Sequence, residues 1–200
     1  FVTGSCIVPA GEVHVSYAKR FLPFLLASML GLGTQDKSEE ALNLAMESRG
    51  MSINIGATPF HMIVNFTCLK HDIEHLVALI TEQLQYPAFN EVQFEHLISR
   101  CKTHIESLKD STSARANEVF SQLIYPKEHI HCEDNPDAKL KLLAGVAIED
   151  LKRHHESYDP LLHIKWVLVG DVDEQGFIAL CEKYEPKKNT VLEVSRQTLQ

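Results

Sequence analysis

The pattern of apolar and polar residues predicts one strand and two helices in the first fifty positions. Val2–Pro9 has the composition of a strand and ends at a turn. Phe21–Leu32 is apolar at nearly every position, which predicts a buried helix. Ser38 is a good N-cap for a second helix, and Gly50 ends it.

A hairpin and a long amphipathic helix follow. Ser52–Thr58 and Phe60–Leu69 both alternate with a period of two, and the short turn between them predicts an antiparallel pair. Asp72 is placed to cap the next helix. The apolar stripe of that helix consists of Ile73, Leu76, Val77, Ile80 and Leu84.

The second half of the chain is mainly helical. Asn90 caps a third amphipathic stretch, and a further helix is predicted over Ser113–Leu123. Tyr125–Pro136 is rich in His, Pro and Asp and is predicted to be a loop. The remaining predicted elements are a helix over Ala147–Tyr158, a strand over His163–Val169 and a helix that Asp173 caps.

These elements together predict an α+β fold, with a mainly antiparallel sheet and helices packed on one face. The length suits one domain over residues 1–185, followed by a polar tail or linker over 186–200. The first residue is Phe1, not methionine. We therefore expect the chain to be part of a larger protein.

Composition narrows the function classes. Hydrophobic residues make up 44 % of the chain and charged residues 23 %, which is typical of a globular domain. The net charge is −8 and the Lys and Arg residues are scattered, so a nucleic-acid surface is not predicted. No apolar run has membrane-spanning length. The five cysteines form no C-x-x-C motif. The cysteine pattern does not decide whether the protein, if bacterial, belongs to the cytoplasm or to the periplasm.

Several short landmarks follow one another along nearly the whole chain. In order they are Met29-Leu30-Gly31-Leu32-Gly33-Thr34, Lys37-Ser38, Glu47-Ser48-Arg49-Gly50-Met51-Ser52, Cys68-Leu69, Tyr86-Pro87-Ala88-Phe89, Leu123-Ile124-Tyr125-Pro126 and Val169-Gly170-Asp171-Val172. This order resembles peptidase family M16, which includes pitrilysin, insulinase and the mitochondrial processing peptidase. The resemblance implies the α+β fold predicted above.

The resemblance also locates where a metal would bind in an active member. There, an H-x-x-E-H motif precedes the Met-Leu-x-x-Gly-Thr element, two His and a distant Glu bind zinc, and the motif Glu polarises the attacking water. Here Phe24 and Ser28 occupy the His positions and Ala27 the Glu position, while Glu106 lies near the third ligand position. None of the first three can replace its counterpart, so no catalytic residue or metal ligand is predicted at this position.

For this chain the resemblance therefore implies a non-catalytic domain. In the family, similar domains form two halves that close around a chamber, and only one domain carries zinc. The zinc is then expected in a companion catalytic domain, either in the same chain or in a partner subunit of a homo- or heterodimer. The expected ligand is a peptide substrate, which family members take up along an exposed sheet edge. A scaffold subunit without peptidase function is the alternative.

A second H-x-x-E-H occurs elsewhere and predicts, as an alternative, an active zinc peptidase. Its residues are His71, Glu74 and His75. The motif stands after the second hairpin strand, which is the wrong element for the family. With Asp72 as N-cap, His71 lies just outside the helix, and Glu74 and His75 lie off the apolar stripe. A solvated helix start is therefore the favoured interpretation.

The predicted loop holds a further group of ligand-type side chains. His129, His131 and Cys132 stand close together in sequence, with acidic neighbours. Histidine is common in the corresponding family loop without metal. The sequence favours surface histidines here and leaves metal binding open.

Overall fold

The computed structural model describes residues 1–157 and 164–184. The predicted tail over 186–200 lies outside the described residues. The elements in chain order are β1 (Val2–Val8), α1 (Leu22–Leu30), α2 (Glu39–Glu47), β2 (Ser52–Ala57), β3 (Met62–Cys68), α3 (Ile73–Gln85), α4 (Glu91–Ser107), α5 (Thr112–Ile124), α6 (Pro136–Ala144), α7 (Ile148–Ser157), β4 (Lys165–Gly170) and α8 (Glu174–Tyr184). Short 3₁₀ turns cover Glu12–His14, Tyr17–Lys19, Lys70–Asp72 and Leu108–Asp110.

The four strands form one antiparallel sheet in the order β2-β3-β1-β4. Cys6 of β1 lies opposite Val64 of β3 and Trp166 of β4 in this register. Side chains alternate between the two faces of a strand. One face therefore carries the apolar residues, namely Val2, Cys6, Val8, Met62, Val64, Phe66 and Cys68, which are buried. The α+β prediction is confirmed.

Helix α1 lies between two apolar clusters, which explains why it is apolar nearly all round. Leu26 and Leu30 belong to the cluster that packs on the sheet. Leu25 and Met29 belong to a second cluster, which includes residues of α4, α6 and α7. Burial of each leucine contributes about 1.5–3 kcal/mol. The core thus fixes α1 between the sheet and a layer of helices.

Two of the predicted N-caps are confirmed. The side chains of Ser38 and Asn90 accept backbone hydrogen bonds at the starts of α2 and α4. The Asp72 cap is wrong: its side chain makes no capping hydrogen bond. Instead the buried Asp72 carboxylate accepts from Arg49 Nη1 at 2.7 Å, so it joins the end of α2 to the start of α3.

One helix was not predicted. Tyr125–Pro136 was expected to be a loop, but its last residue is the first residue of α6. Asn135 accepts a hydrogen bond from the backbone N–H of Ala138, and Pro136 occupies the first helical position, where a missing N–H costs nothing. Among the described residues, no helix has the length and apolarity needed to cross a membrane.

The partly buried carboxylate of Glu82 on α3 links this helix to the segment after α1. Glu82 accepts from Thr34 Oγ1 and Lys37 Nζ, both at 2.6 Å. Burial acts to raise the pKa of Glu82, but these hydrogen bonds and the lysine charge outweigh it, and the pKa is lowered. The ionised carboxylate therefore stabilises the fold.

Replacing this carboxylate should change the acid sensitivity of the protein. The pKa of Glu82 is lower in the folded than in the unfolded chain, so its stabilising effect is full at neutral pH and is lost as pH falls below about 4.5. We expect Glu82→Gln to destabilise by about 1 kcal/mol at pH 7 and by less at pH 3. Urea unfolding at both pH values measures this, and an equal loss at both would contradict it.

Candidate functional site

The three positions that the resemblance aligns with the zinc motif lie on α1 and carry no suitable donors. Ala27 is buried in the cluster against the sheet. Phe24 is 46 % exposed, although the apolar pattern predicted it to be core. The Ser28 hydroxyl donates to the carbonyl of Phe24 at 2.9 Å, which satisfies it within the helix.

A cavity of about 270 Å³ opens beside Phe24. Its apolar lining includes Phe21, Phe24, Ile105 and Leu108, and Ala57 at the end of β2. From α4, Ile105 lines this cavity, whereas Glu106 does not line it and is exposed. His104 of α4 also lines the cavity, so α4 contributes His104 and Ile105 to it, but not Glu106.

An ion-pair network borders the same cavity. Arg20 pairs with Glu12 at 3.1 Å and with Asp134 at 2.8 Å. Its guanidinium also donates to the carbonyls of Cys132 and Ile130, both at 3.2 Å. These contacts fix the loop after α5 to the segment between β1 and α1.

Tyr17 extends this network. Its hydroxyl donates to the Asp134 carboxylate, and this hydrogen bond, together with burial, raises the pKa of Tyr17 to about 12. The phenol therefore keeps its proton at any physiological pH. Since Asp134 is ion-paired with Arg20 and hydrogen-bonded to Tyr17, it is held in place as part of the scaffold of the cavity.

The second H-x-x-E-H is spread over a turn and a helix. His71 lies in the 3₁₀ turn before α3, and its Nε2 is 3.2 Å from the Asp72 carboxylate. Glu74 pairs with Lys183 at 2.7 Å, and this contact lowers its pKa. His71, Glu74 and His75 are all exposed. The pattern is present in sequence, but His71 is paired with Asp72 and Glu74 with Lys183.

The loop histidines form an aromatic cluster instead of a group with Cys132. The His129 ring stacks on Tyr125 with centroids 4.7 Å apart, and His131 lies 5.6 Å from each of these rings. Both histidines are exposed, whereas Cys132 is buried. Within the described residues, no group of three or more His, Cys, Asp or Glu side chains is arranged to hold a metal ion.

A zinc ion therefore does not fit the donor set at the family position. Phenylalanine and alanine offer no lone pairs, and zinc requires nitrogen, sulfur or carboxylate oxygen ligands. The sequence predicts, through the resemblance, that Phe24, Ala27 and Ser28 on α1 are the substituted positions. It did not identify Ile105 or the Arg20 network, because these depend on how α4 and the loop pack against α1.

Comparisons with known proteins agree with this fold. The profile of the family described as insulinase (peptidase family M16) matches residues 7–131. The crystal structure of a peptidase M16 inactive domain from Pseudomonas fluorescens is similar with a TM-score of 0.77 at 17 % identity, over 98 % of this chain and 48 % of that chain. Pitrilysin is similar with a TM-score of 0.71 at 16 % identity, over 100 % of this chain and 22 % of that chain.

This chain thus spans about half of the first structure and about a fifth of the second. No curated protein matched it in a sequence comparison. At these identities the structural similarity shows the fold, while the sequence profile covers more than half of the chain.

Proposed function

Because this chain belongs to the insulinase family of peptidases, family M16, we propose that it is a non-catalytic domain of a zinc peptidase. Its role is to form part of a peptide-binding chamber and to contact other domains. The chemistry takes place on a companion domain that carries the zinc, in the same chain or in a partner subunit.

The chemistry of three side chains carries this proposal. By the resemblance, Phe24, Ala27 and Ser28 align with the positions of the zinc ligands and the catalytic glutamate of active family members. Ile105 adds an apolar side chain from α4 on the same cavity. These four side chains provide no imidazole, thiolate or carboxylate to bind a metal or to polarise water. The carboxylates of Glu12 and Asp134 on the same cavity are paired with Arg20. The similar structure described as an inactive domain supports the same interpretation.

The exposed face of the sheet supports the chamber role. It presents hydroxyl and amide groups, with Ser5 donating to Asn65 at 2.7 Å and Thr3 lying 3.3 Å from Thr67. The face also carries Val167 and Val169, which are exposed. Apart from Lys165, which the register places on the same face, this surface is polar and uncharged, so it can face a peptide with little selection for the charge of its side chains.

Metal content tests the proposal directly. After dialysis, we expect the purified chain to contain far less than one zinc per molecule and to cleave no peptide. The double variant His71→Ala/His75→Ala should behave the same, because these exposed side chains have no role in the proposed function. Elemental analysis and a fluorogenic peptide assay measure both properties. We expect cleavage to appear when a metal-bearing M16 half is added.

Two results would separate the alternatives. Stoichiometric zinc that disappears in the double variant would establish the second H-x-x-E-H as a metal site and refute the proposal. Stable assembly with a partner that has no peptidase activity in any combination would instead favour a scaffold subunit.

A further inference from the structure

His129 organises the loop between α5 and α6 through both its main chain and its ring. Its backbone N–H donates to the carbonyl of Pro126 at 2.9 Å, and its carbonyl accepts from the N–H of Cys132 at 2.9 Å. Its ring nitrogen Nδ1 accepts from the backbone N–H of His131 at 3.2 Å. This last contact resembles the turn that an Asn or Asp side chain makes with the backbone two residues on. The loop therefore depends on a side chain that can take up a proton.

The hydrogen bond to Nδ1 exists only while the His129 imidazole is neutral. A nitrogen that accepts a hydrogen bond has a free lone pair, so the proton of the neutral ring lies on Nε2. In the charged ring both nitrogens are donors, and the N–H of Nδ1 would face the N–H of the His131 main chain. Imidazole is the side chain that changes its charge between about pH 5 and 8, so this turn is sensitive to mild acid.

The surroundings of His129 offer its charged form no ion pair. Its ring stacks on Tyr125 with centroids 4.7 Å apart and planes 3° from parallel. The titratable or charged side chains that adjoin it in sequence or in the aromatic cluster are Tyr125, Lys127, Glu128, His131 and His61. In the part of the chain that the structure describes, no carboxylate forms an ion pair with His129. A proton on this ring therefore removes a hydrogen bond without adding an acidic partner.

His131 connects the same loop to the turn between β2 and β3. Its ring lies edge-on to Phe60, with centroids 6.0 Å apart. The turn residues 58–59 line the cavity beside Phe24, and so do residues 133–134 at the end of the loop. The contact between His131 and Phe60 therefore joins two parts of the rim of this cavity.

We propose that protonation of His129 breaks the turn at His131 and releases the contact between His131 and Phe60. The charged ring stays on Tyr125, because a cation is attracted to the face of an aromatic ring. Arg20 still donates to the carbonyls of residues 130 and 132, so the change is confined to the amide and the ring of His131. The loop is thus an acid-sensitive connection across the cavity rim. This inference goes beyond the proposed function and does not depend on it, since it involves neither peptide nor metal.

Nuclear magnetic resonance of the purified, ¹⁵N-labelled chain tests the proposal at about pH 7.5 and about pH 5. At the higher pH, long-range ¹H–¹⁵N spectra should show the neutral His129 ring with its proton on Nε2. At the lower pH, we expect the protection of the His131 amide against hydrogen exchange, taken relative to the intrinsic rate at each pH, to fall about tenfold. The nuclear Overhauser effect between the rings of Phe60 and His131 should disappear over the same range.

Two variants distinguish the hydrogen bond from a general effect of charge. His129→Asn keeps an acceptor for the same turn, since Asn Oδ1 makes it readily, but the amide cannot be protonated in this range. Its His131 amide should be equally protected at both pH values. His61→Asn removes another histidine of the aromatic cluster and should keep the wild-type pH dependence. Both variants replace exposed side chains, so their thermal unfolding should match the wild type.

Several results would overturn the inference. These are a proton on Nδ1 of His129 at the higher pH, wild-type protection that does not change with pH, and a His129→Asn variant that keeps the pH dependence. Repulsion between the charged rings of His129 and His131 is the competing cause. If His131→Asn abolished the pH dependence while His129 still titrated, repulsion would be the cause and the inference would be wrong. The proposed function is tested separately, because it depends on zinc content and cleavage.

Discussion

Replacing Arg20 by alanine should lower the free energy of unfolding by about 3–5 kcal/mol. The guanidinium pairs with Glu12 and Asp134 and donates to two carbonyls of the loop after α5. Asp134 is buried and would lose its cationic partner. Removing one member of a buried pair costs more than the pair contributes, because the remaining charge is left poorly solvated.

Urea unfolding followed by circular dichroism measures this effect. Arg20→Lys serves as the conservative variant: it keeps the charge but cannot make the bidentate contacts, so an intermediate loss is expected. Lys70→Ala removes one member of an ion pair in which both side chains are exposed, 2.7 Å from Asp171, and should change stability by less than about 0.5 kcal/mol. If Arg20→Ala behaved like Lys70→Ala, the network would not hold the loop to the core.

Periodicity predicted the fold well where one side of an element is buried and the other is solvated. The stripe on α3 and the alternation in β3 were both found as expected, because a single buried face imposes its period on the sequence. Helix α6 was missed although Asn135-Pro136 is a strong start signal. The segment before α6 is acidic and rich in histidine, which is typical of a loop. A helix of nine residues is also too short to show a clear apolar periodicity.

Periodicity could not predict how helices α1, α4 and α5 are rotated about their own axes. Helix α1 is apolar all round, so its sequence does not say that Phe24 faces a cavity while Leu25 is buried. The pattern predicted α5 as a helix, but an apolar stripe normally faces inward, and only the hydrogen bonds of Ser121 and Gln122 reveal the opposite orientation. Likewise, whether Ile105 or Glu106 faces Phe24 depends on how α4 is rotated against α1.

The second large effect on stability is expected at Phe89. Its backbone adopts an unfavourable conformation, and its side chain packs against both apolar clusters. Its φ is +45°, in the left-handed region that non-glycine residues avoid. Backbone hydrogen bonds hold the preceding segment, where Ala88 N–H donates to the carbonyl of Gly33 at 3.1 Å. The Phe89 side chain contacts both apolar clusters, and its ring lies edge-on to His155 at 5.6 Å.

We therefore expect Phe89→Ala to destabilise the protein by about 2–4 kcal/mol, through lost packing in both clusters. Phe89→Gly should destabilise it by about 0.5–1 kcal/mol less than Phe89→Ala. Glycine removes the steric cost of the left-handed conformation, about 1–2 kcal/mol, and this exceeds the additional backbone entropy that glycine loses on folding.

Phe94, on helix α4, is the matched control because it packs on the second cluster from a regular helical backbone. There the order should reverse, with Phe94→Gly less stable than Phe94→Ala by about 1 kcal/mol, since glycine is the poorer helix former. Chemical denaturation of the four variants measures both differences. If glycine were the more destabilising substitution at both positions, the conformation of Phe89 would not carry the strain that its φ indicates. Phe89 would then hold the two clusters together by its side chain alone.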